Sequence, residues 1–159
     1  MLEILEQFVS VLSNDPVLTA IVPASNILVG PVDILTETQA GLKLPQINIH
    51  VVSEAQRSVP LSTRDSLIQI DIWDRNSQLE VVTIYERIIA LLSYQTYDKS
   101  VAHVFWQRLG GATDLYESDR RIFHRAMTYT AWSIKSEVVN TLSVSDQTPV
   151  VDSPTVVEH

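Results

Sequence analysis

The feature that most constrains this chain is a strict alternation of apolar and polar residues in two stretches near its middle. Because successive side chains of a strand point to opposite faces, the pattern predicts two strands, each with one apolar and one polar face. The polar segment between them, residues 53–65, contains Pro60 and predicts a loop or an extended hairpin tip. The apolar faces are formed by Ile47, Ile49 and Val51 in residues 45–51 and by Ile68, Ile70 and Ile72 in residues 66–74.

Two longer segments have the period of a helix. Residues 2–12 repeat apolar side chains at intervals of three and four, which predicts an amphipathic helix that ends before Pro16. Residues 77–94 follow the second strand with the same period. Ser77 and Glu80 stand at the start of this segment with the spacing of a capping box, in which the serine oxygen accepts a hydrogen bond from the backbone of the third helical residue. The chain is therefore predicted to open with one helix and to carry a second after its central strands.

Aromatic and β-branched residues are frequent in two further segments, residues 101–109 and 122–134, which predicts two more strands joined through Gly110-Gly111 and a polar turn. Residues 27–29 indicate a weak additional strand. Strand pairs combined with helices in this order are typical of an α+β domain. We therefore predict a mostly antiparallel sheet of about four to five strands with two helices packed on one face.

The composition of the chain changes near residue 136. Residues 1–136 are predicted to form a single α+β domain, and residues 137–159 a flexible, disordered acidic tail without periodic pattern. The tail holds four carboxylates and no Lys or Arg, so it carries half of the net charge of −8. An acidic chain without a basic cluster is a poor candidate for gripping a phosphate backbone, although it is compatible with an acidic wall that DNA slides past.

Three carboxylates near one tryptophan, Asp71, Asp74 and Glu80, are the candidates for acid–base chemistry or metal binding. A structural interpretation is favoured, because alternation places Asp71 on a solvated strand face, Asp74 follows the strand, and Glu80 belongs to the capping box. The sequence has no cysteine, no histidine pair with the spacing of a helical metal site, no nucleophile elbow and no glycine-rich phosphate loop. We therefore expect no catalytic residue, no metal and no cofactor.

Arg120, Arg121 and Arg125 raise the alternative of an anion site near the last strand. Acidic residues closely precede these arginines, so a turn of mixed charge is the favoured interpretation. The acidic residues are Asp114, Glu117 and Asp119.

Trp73, Asp74 and Arg75 have no structural role once the capping box is assigned to Ser77 and Glu80. Tryptophans in strands are usually core or interface anchors rather than platforms for a ligand. We therefore expect these three residues to lie at a boundary between subunits.

In four segments the sequence resembles the tail terminator, or tail completion and head-to-tail joining, proteins of long-tailed bacteriophages. The segments are an opening amphipathic helix followed by LSNDPVLTAIV at residues 12–22, LPQINI at residues 44–49, IDIWD at residues 70–74 leading into a long helix, and RIFHR at residues 121–125 in the closing strand pair. The resemblance covers residues 1–136 and leaves out the acidic tail.

This resemblance implies a structural virion protein rather than an enzyme. Its members form a ring, usually of six copies, which caps the growing tail tube at the head-proximal end of the tail and stops its polymerisation. The implied partners are the tail tube protein and a head-completion or neck protein, and DNA passes through the central channel without specific binding. We expect assembly in the host cytoplasm and no membrane contact, because the N-terminus lacks the basic start of a signal peptide and no apolar run is long enough to span a bilayer.

A closed ring needs heterologous contacts, which strand edges and protruding loops commonly supply. The hypothesis places contacts with the tube or with neighbouring copies in residues 53–65, where Arg57 and Arg64 are suited to interface ion pairs. A solvated, mobile hairpin is the alternative for the free monomer. Another tube, neck or head-completion subunit, a small-molecule-binding α+β domain, and a hydrolase that uses Asp71 or Asp74 stay open as alternative functions.

Overall fold

The computed structural model describes residues 2–30, 43–57, 62–93, 96–99, 103–118 and 121–135. The predicted tail at residues 137–159 and most of the segment between residues 30 and 44 lie outside these ranges. The elements are α1 (Leu2–Ser13), α2 (Pro16–Thr19), a short 3-10 turn (Ala24–Asn26), β1 (Ile27–Val29), β2 (Gln46–Arg57), β3 (Ser62–Asp74), α3 (Gln78–Leu92), β4 (Thr96–Lys99), β5 (His103–Glu117) and β6 (Ile122–Lys135).

The described strands form one six-stranded sheet in the order β1-β2-β3-β6-β5-β4. Neighbouring strands are antiparallel except β1 and β2, which run parallel. The predicted α+β class with a mostly antiparallel sheet is therefore confirmed. The edge strand β4 has only four residues, which is too short to show an alternating pattern in the sequence.

One face of the sheet packs against α1 and α3. Ile49 of β2 pairs with Ile70 of β3, and Ile70 pairs on its other side with Met127 of β6. Because residues directly opposite each other share a face, these side chains form one apolar layer. Phe8 of α1 and Ile88 of α3 close the layer, and all five side chains are buried at 1 % exposure or less. The predicted position of two helices on one face is confirmed.

The segment between the two central strands is mostly strand rather than loop. β2 continues to Arg57 and β3 begins at Ser62, and their pairing runs from end to end with one bulge at Val52. This outcome agrees with the extended hairpin and corrects the loop predicted over residues 53–65. The reason is that β6 also pairs with this part of β3, beginning at Ser62 opposite Lys135, so backbone pairing continues beyond the apolar core.

The Gly110-Gly111 pair lies inside β5 and does not form the turn that the sequence suggested. The register between β5 and β6 shifts between Leu109 and Gly111, which makes Gly110 the extra residue of a bulge. A Cβ atom at Gly110 would lie 2.9 Å from Oγ1 of Thr128, so the close approach of the two strands favours glycine there.

An ion pair connects the first helices to α3. Asp15 caps α2, where its Oδ1 accepts a hydrogen bond of 2.7 Å from the backbone N–H of Leu18. Arg87 of α3 donates to the same carboxylate through Nε at 2.9 Å and through Nη2 at 2.5 Å. The Arg87 hydrogen bond holds the pKa of Asp15 below its ordinary value, against the opposing effect of desolvation.

Replacing Asp15 with asparagine is expected to remove the charge of this pair and to keep the helix cap, because Asn caps helices as well as Asp does. We expect Asp15→Asn to lower the free energy of unfolding by about 1 kcal/mol near neutral pH, and Asp15→Ala to cost about 1 kcal/mol more through the lost cap. Since the folded pKa is depressed, the charge-dependent part is complete above the unfolded pKa and is lost as the pH falls through the folded pKa. Urea unfolding at about pH 7 and about pH 3 measures the free energy of unfolding of both proteins. A difference between wild type and Asp15→Asn that is the same at both pH values contradicts the prediction.

Candidate functional site

A cluster of polar side chains lies on the sheet face opposite the helices. At its centre is Asp71 of β3, which is 5 % exposed. Nε2 of His124 in β6 lies 2.8 Å from Oδ1 of this carboxylate, and Nε2 of Gln69 donates to Oδ1 at 2.9 Å and to Oδ2 at 3.2 Å. Alternation correctly assigned Asp71 to the face away from the isoleucines, but the expectation that it is solvated there was wrong.

Two aromatic rings complete this Asp71 cluster. The indole of Trp73 stacks on the imidazole of His124, with ring centroids 3.6 Å apart and an angle of 9° between planes. His50 of β2 approaches from the other side, with Nδ1 3.5 Å from Oδ2 of Asp71 and no hydrogen bond. The cluster therefore joins β2, β3 and β6 through side chains as well as through the backbone.

The Asp71–His124 pair contains the chemical groups of a general base, but its surroundings lack what a general base needs. A histidine that activates a nucleophile needs a hydroxyl, thiol or substrate within hydrogen-bond reach of its second nitrogen. In the part of the chain that the structure describes, no hydroxyl group bonds to His124, and its ring is 8 % exposed beneath Trp73. The arrangement fixes the ring in place and supports the structural interpretation.

Asp74 begins the turn that leads into α3. Its Oδ2 accepts hydrogen bonds of 3.2 Å from the backbone N–H groups of Asn76 and Ser77. Ser77 caps α3 as predicted, since its Oγ accepts from the backbone N–H of Glu80 at 3.1 Å. In a complete capping box the side chain of Glu80 would accept a hydrogen bond from the backbone N–H of Ser77. Here Oδ2 of Asp74 accepts that bond instead. Asp74 thus has the structural role that the sequence did not assign.

Arg125 forms an ion pair across β5 and β6 rather than an anion site. Its Nε and Nη2 donate to the two carboxylate oxygens of Asp114 at 2.5 and 2.6 Å, and its guanidinium lies 4.4 Å from the ring centre of Tyr85 in α3. The Arg125 hydrogen bonds hold the pKa of Asp114 below its ordinary value. Arg121 is exposed, and Arg120 lies outside the described residues.

An open pocket of about 330 Å³ lies between the start of α3 and the β5–β6 pair. We call it the β5–β6 pocket. Tyr116 on its wall is 55 % exposed, whereas the neighbouring Leu115 points to the opposite face of the sheet and is 48 % exposed there. Its lining consists of Gln78, Val81, Asp114, Leu115, Tyr116, Phe123 and His124. Sequence reasoning did not find this pocket, because its walls come from three elements far apart in the chain.

The predicted interface residues differ in their availability to a partner. Trp73 is 8 % exposed and Asp74 is 1 % exposed, whereas Arg75 is exposed. Arg57 is opposite Thr63 in the β2–β3 pairing and Arg64 is opposite Gln56, so the two arginines belong to adjacent cross-strand pairs near the hairpin end. A subunit contact through any of these residues stays a prediction. Of Trp73, Asp74 and Arg75, only Arg75 is exposed enough to contact a partner.

Two further findings concern metals and membranes. Among residues 2–135, with the gaps stated above, no three His, Cys, Asp or Glu side chains are placed to hold a metal ion together. The helices of the described ranges are each too short or too polar to cross a membrane.

The fold of the chain also occurs in a known particle structure. The chain is similar to a chain of the virion of a native gene transfer agent particle, with a TM-score of 0.58, 11 % sequence identity, and coverage of 80 % of this chain and 91 % of that one. Similarity at this identity concerns the fold. None of the curated proteins matches the sequence.

The family follows from the sequence itself. Residues 6–134 match the tail completion protein gp17 family, and the chain belongs to it. This confirms the resemblance to tail completion proteins and defines the chain as a structural protein of phage tails.

Proposed function

We propose that the protein forms a ring of six copies that caps the phage tail tube at its head-proximal end, terminates tube polymerisation and joins the tail to the head. The observation that carries this proposal is the family match, which extends from residue 6 in α1 to residue 134 in β6 and so includes residues from every described strand. Its partners are the tube protein on one side and a head-completion or neck protein on the other. The ring is assembled in the host cytoplasm and remains in the virion.

The charge of the chain fits a channel that DNA passes through. The net charge is −8 with 11 basic residues in 159, and affinity for a phosphate backbone comes from neutralising phosphates with Lys and Arg. An acidic channel wall repels phosphates and so keeps DNA from adhering during passage.

Native mass spectrometry of the purified protein tests the ring. We expect a species with six times the 17.8 kDa subunit mass, either alone or after mixing with tube subunits. In a tube growth assay, adding the protein is expected to arrest elongation, and electron microscopy of labelled protein is expected to find it at one end of the tail. A strict monomer in both states that also fails to arrest growth would sink the proposal, and label along the whole tail would identify a tube subunit instead.

A further inference from the structure

The β5–β6 pocket has an apolar wall on the helix side of the sheet, and two exposed arginines lie near it. Tyr116 is 55 % exposed at its wall, and its ring centroid lies 5.0 Å from that of Phe123, which also lines the pocket. Leu115 pairs with His124, so its side chain points to the other face of the sheet. Asp114 in the same wall is neutralised by Arg125. The surface therefore has unsatisfied apolar area without an unpaired carboxylate at its centre.

Two arginines lie at the same end of the sheet as this pocket. Asp74 pairs with Phe123, which lines the pocket, so the turn after Asp74 and the turn before β6 lie side by side. These turns carry Arg75 and Arg121, which are exposed and form no ion pair with another described residue. An apolar segment with acidic residues would match the pocket and its surroundings.

The C-terminal segment of the chain has this composition. Two valine pairs, Val150-Val151 and Val156-Val157, are each followed directly by a carboxylate, and residues 137–159 contain no Lys or Arg. The family match ends at residue 134, so this segment is an addition to the part of the chain that matches the family.

The length of the segment allows it to return to the pocket of its own chain. β6 carries the chain away from the pocket, and from Phe123 to Lys135 it spans roughly 40 Å at about 3.3 Å per residue. The 21 residues from Ser136 to Val156 reach roughly 70 Å when extended, which exceeds that distance. In contrast, the six residues to Thr141 reach only about 20 Å. A tethered segment that can reach its site binds with a high effective concentration, which favours the same chain over a second copy.

We propose that residues 150–158 of the same chain occupy the β5–β6 pocket. The valine pairs cover Tyr116 and Phe123, and the carboxylates of Asp152 and Glu158 lie against Arg75 and Arg121. A pocket of about 330 Å³ is at the small end of the range of roughly 300–1,000 Å³ for ligand pockets, which suits a few aliphatic side chains of an extended segment. The binding does not depend on the ring: it concerns a contact within one subunit.

A photocrosslinker attached to the full-length protein tests this contact. The natural chain has no cysteine, so Ser153→Cys provides a unique attachment site between the two valine pairs. After irradiation, we expect crosslinked peptides from the two walls of the pocket, α3 and the β5–β6 pair, in a band with the mass of one subunit on a denaturing gel. The matched control is the same probe at Thr141→Cys, which is too close to β6 to reach the pocket of its own chain.

Charge reversal tests the recognition. Arg75→Glu with Arg121→Glu is expected to lower the yield of the pocket crosslink several-fold, and adding Asp152→Lys with Glu158→Lys is expected to restore it. All four positions are exposed or lie in the tail, and circular dichroism of each variant checks that the fold is retained. A pocket crosslink no stronger than that of the Thr141→Cys control overturns the proposal, as does one that charge reversal leaves unchanged. A band with the mass of two subunits overturns it in favour of the tail of a second copy.

Discussion

Replacing Asp71 with alanine is expected to lower the free energy of unfolding by about 2–3 kcal/mol, because it removes the acceptor at the centre of the polar cluster. His124 is 8 % exposed and loses its 2.8 Å partner, and the amide of Gln69 loses the carboxylate that it bonds with both oxygens. A buried donor left without an acceptor costs about 1–3 kcal/mol, and Gln69 is only partly buried. Urea unfolding, monitored at one fixed protein concentration, measures the change.

Two further variants separate the network from other effects of the substitution. Asp71→Asn keeps one carbonyl oxygen as an acceptor for His124, so we expect it to lose less stability than the alanine variant. Glu6→Ala removes an exposed carboxylate from α1 and is expected to change stability by less than about 0.5 kcal/mol. If Asp71→Ala unfolds like Glu6→Ala, the cluster does not stabilise the sheet, and Asp71 returns to the candidates for chemistry.

The sequence predicted the helices and strands correctly where the spacing of apolar residues follows a single period, of a helix or of a strand. Ile68, Ile70 and Ile72 alternate with polar residues, and the structure buries all three against the helices. The hairpin formed by the ends of β2 and β3 was harder to predict, because polar residues occupy both of its faces and hydrophobic alternation disappears. Its strand structure comes from pairing with β6, which is a non-local property of the chain.

The Asp71 cluster also depends on contacts between residues that are far apart in the chain. Alternation within residues 122–134 places His124 on the opposite strand face from Met127, and this signal was available in the sequence. The partner of His124 could not be predicted from the sequence, because the contact depends on β6 lying next to β3. His124 and Asp71 are 53 residues apart in the chain. The same holds for Asp114 and Arg125, whose pairing was attributed to a turn and is formed between two strands.

Reversing the charge of Arg57 and Arg64 is expected to impair the proposed capping of the tail tube without unfolding the subunit. Both residues lie in the β2–β3 pairing beyond the bulge at Val52, at a distance from the buried core layer, so the double variant Arg57→Glu with Arg64→Glu should keep the melting temperature of the wild type. If the arginines form interface ion pairs, reversal places like charges against each other and lowers capping potency at least about tenfold, which corresponds to about 1.4 kcal/mol. The concentration of protein that halves the rate of tube elongation measures this.

Two controls determine whether the effect belongs to these positions. Arg57→Lys with Arg64→Lys keeps the charge and removes the planar, bidentate geometry of the guanidinium, so an intermediate loss indicates paired contacts rather than general electrostatics. Lys43→Glu reverses an exposed charge outside the hairpin and is expected to leave capping unchanged. Unchanged capping by the glutamate double variant rejects the hairpin as the contact and directs attention to Arg75, which is exposed at the far end of β3.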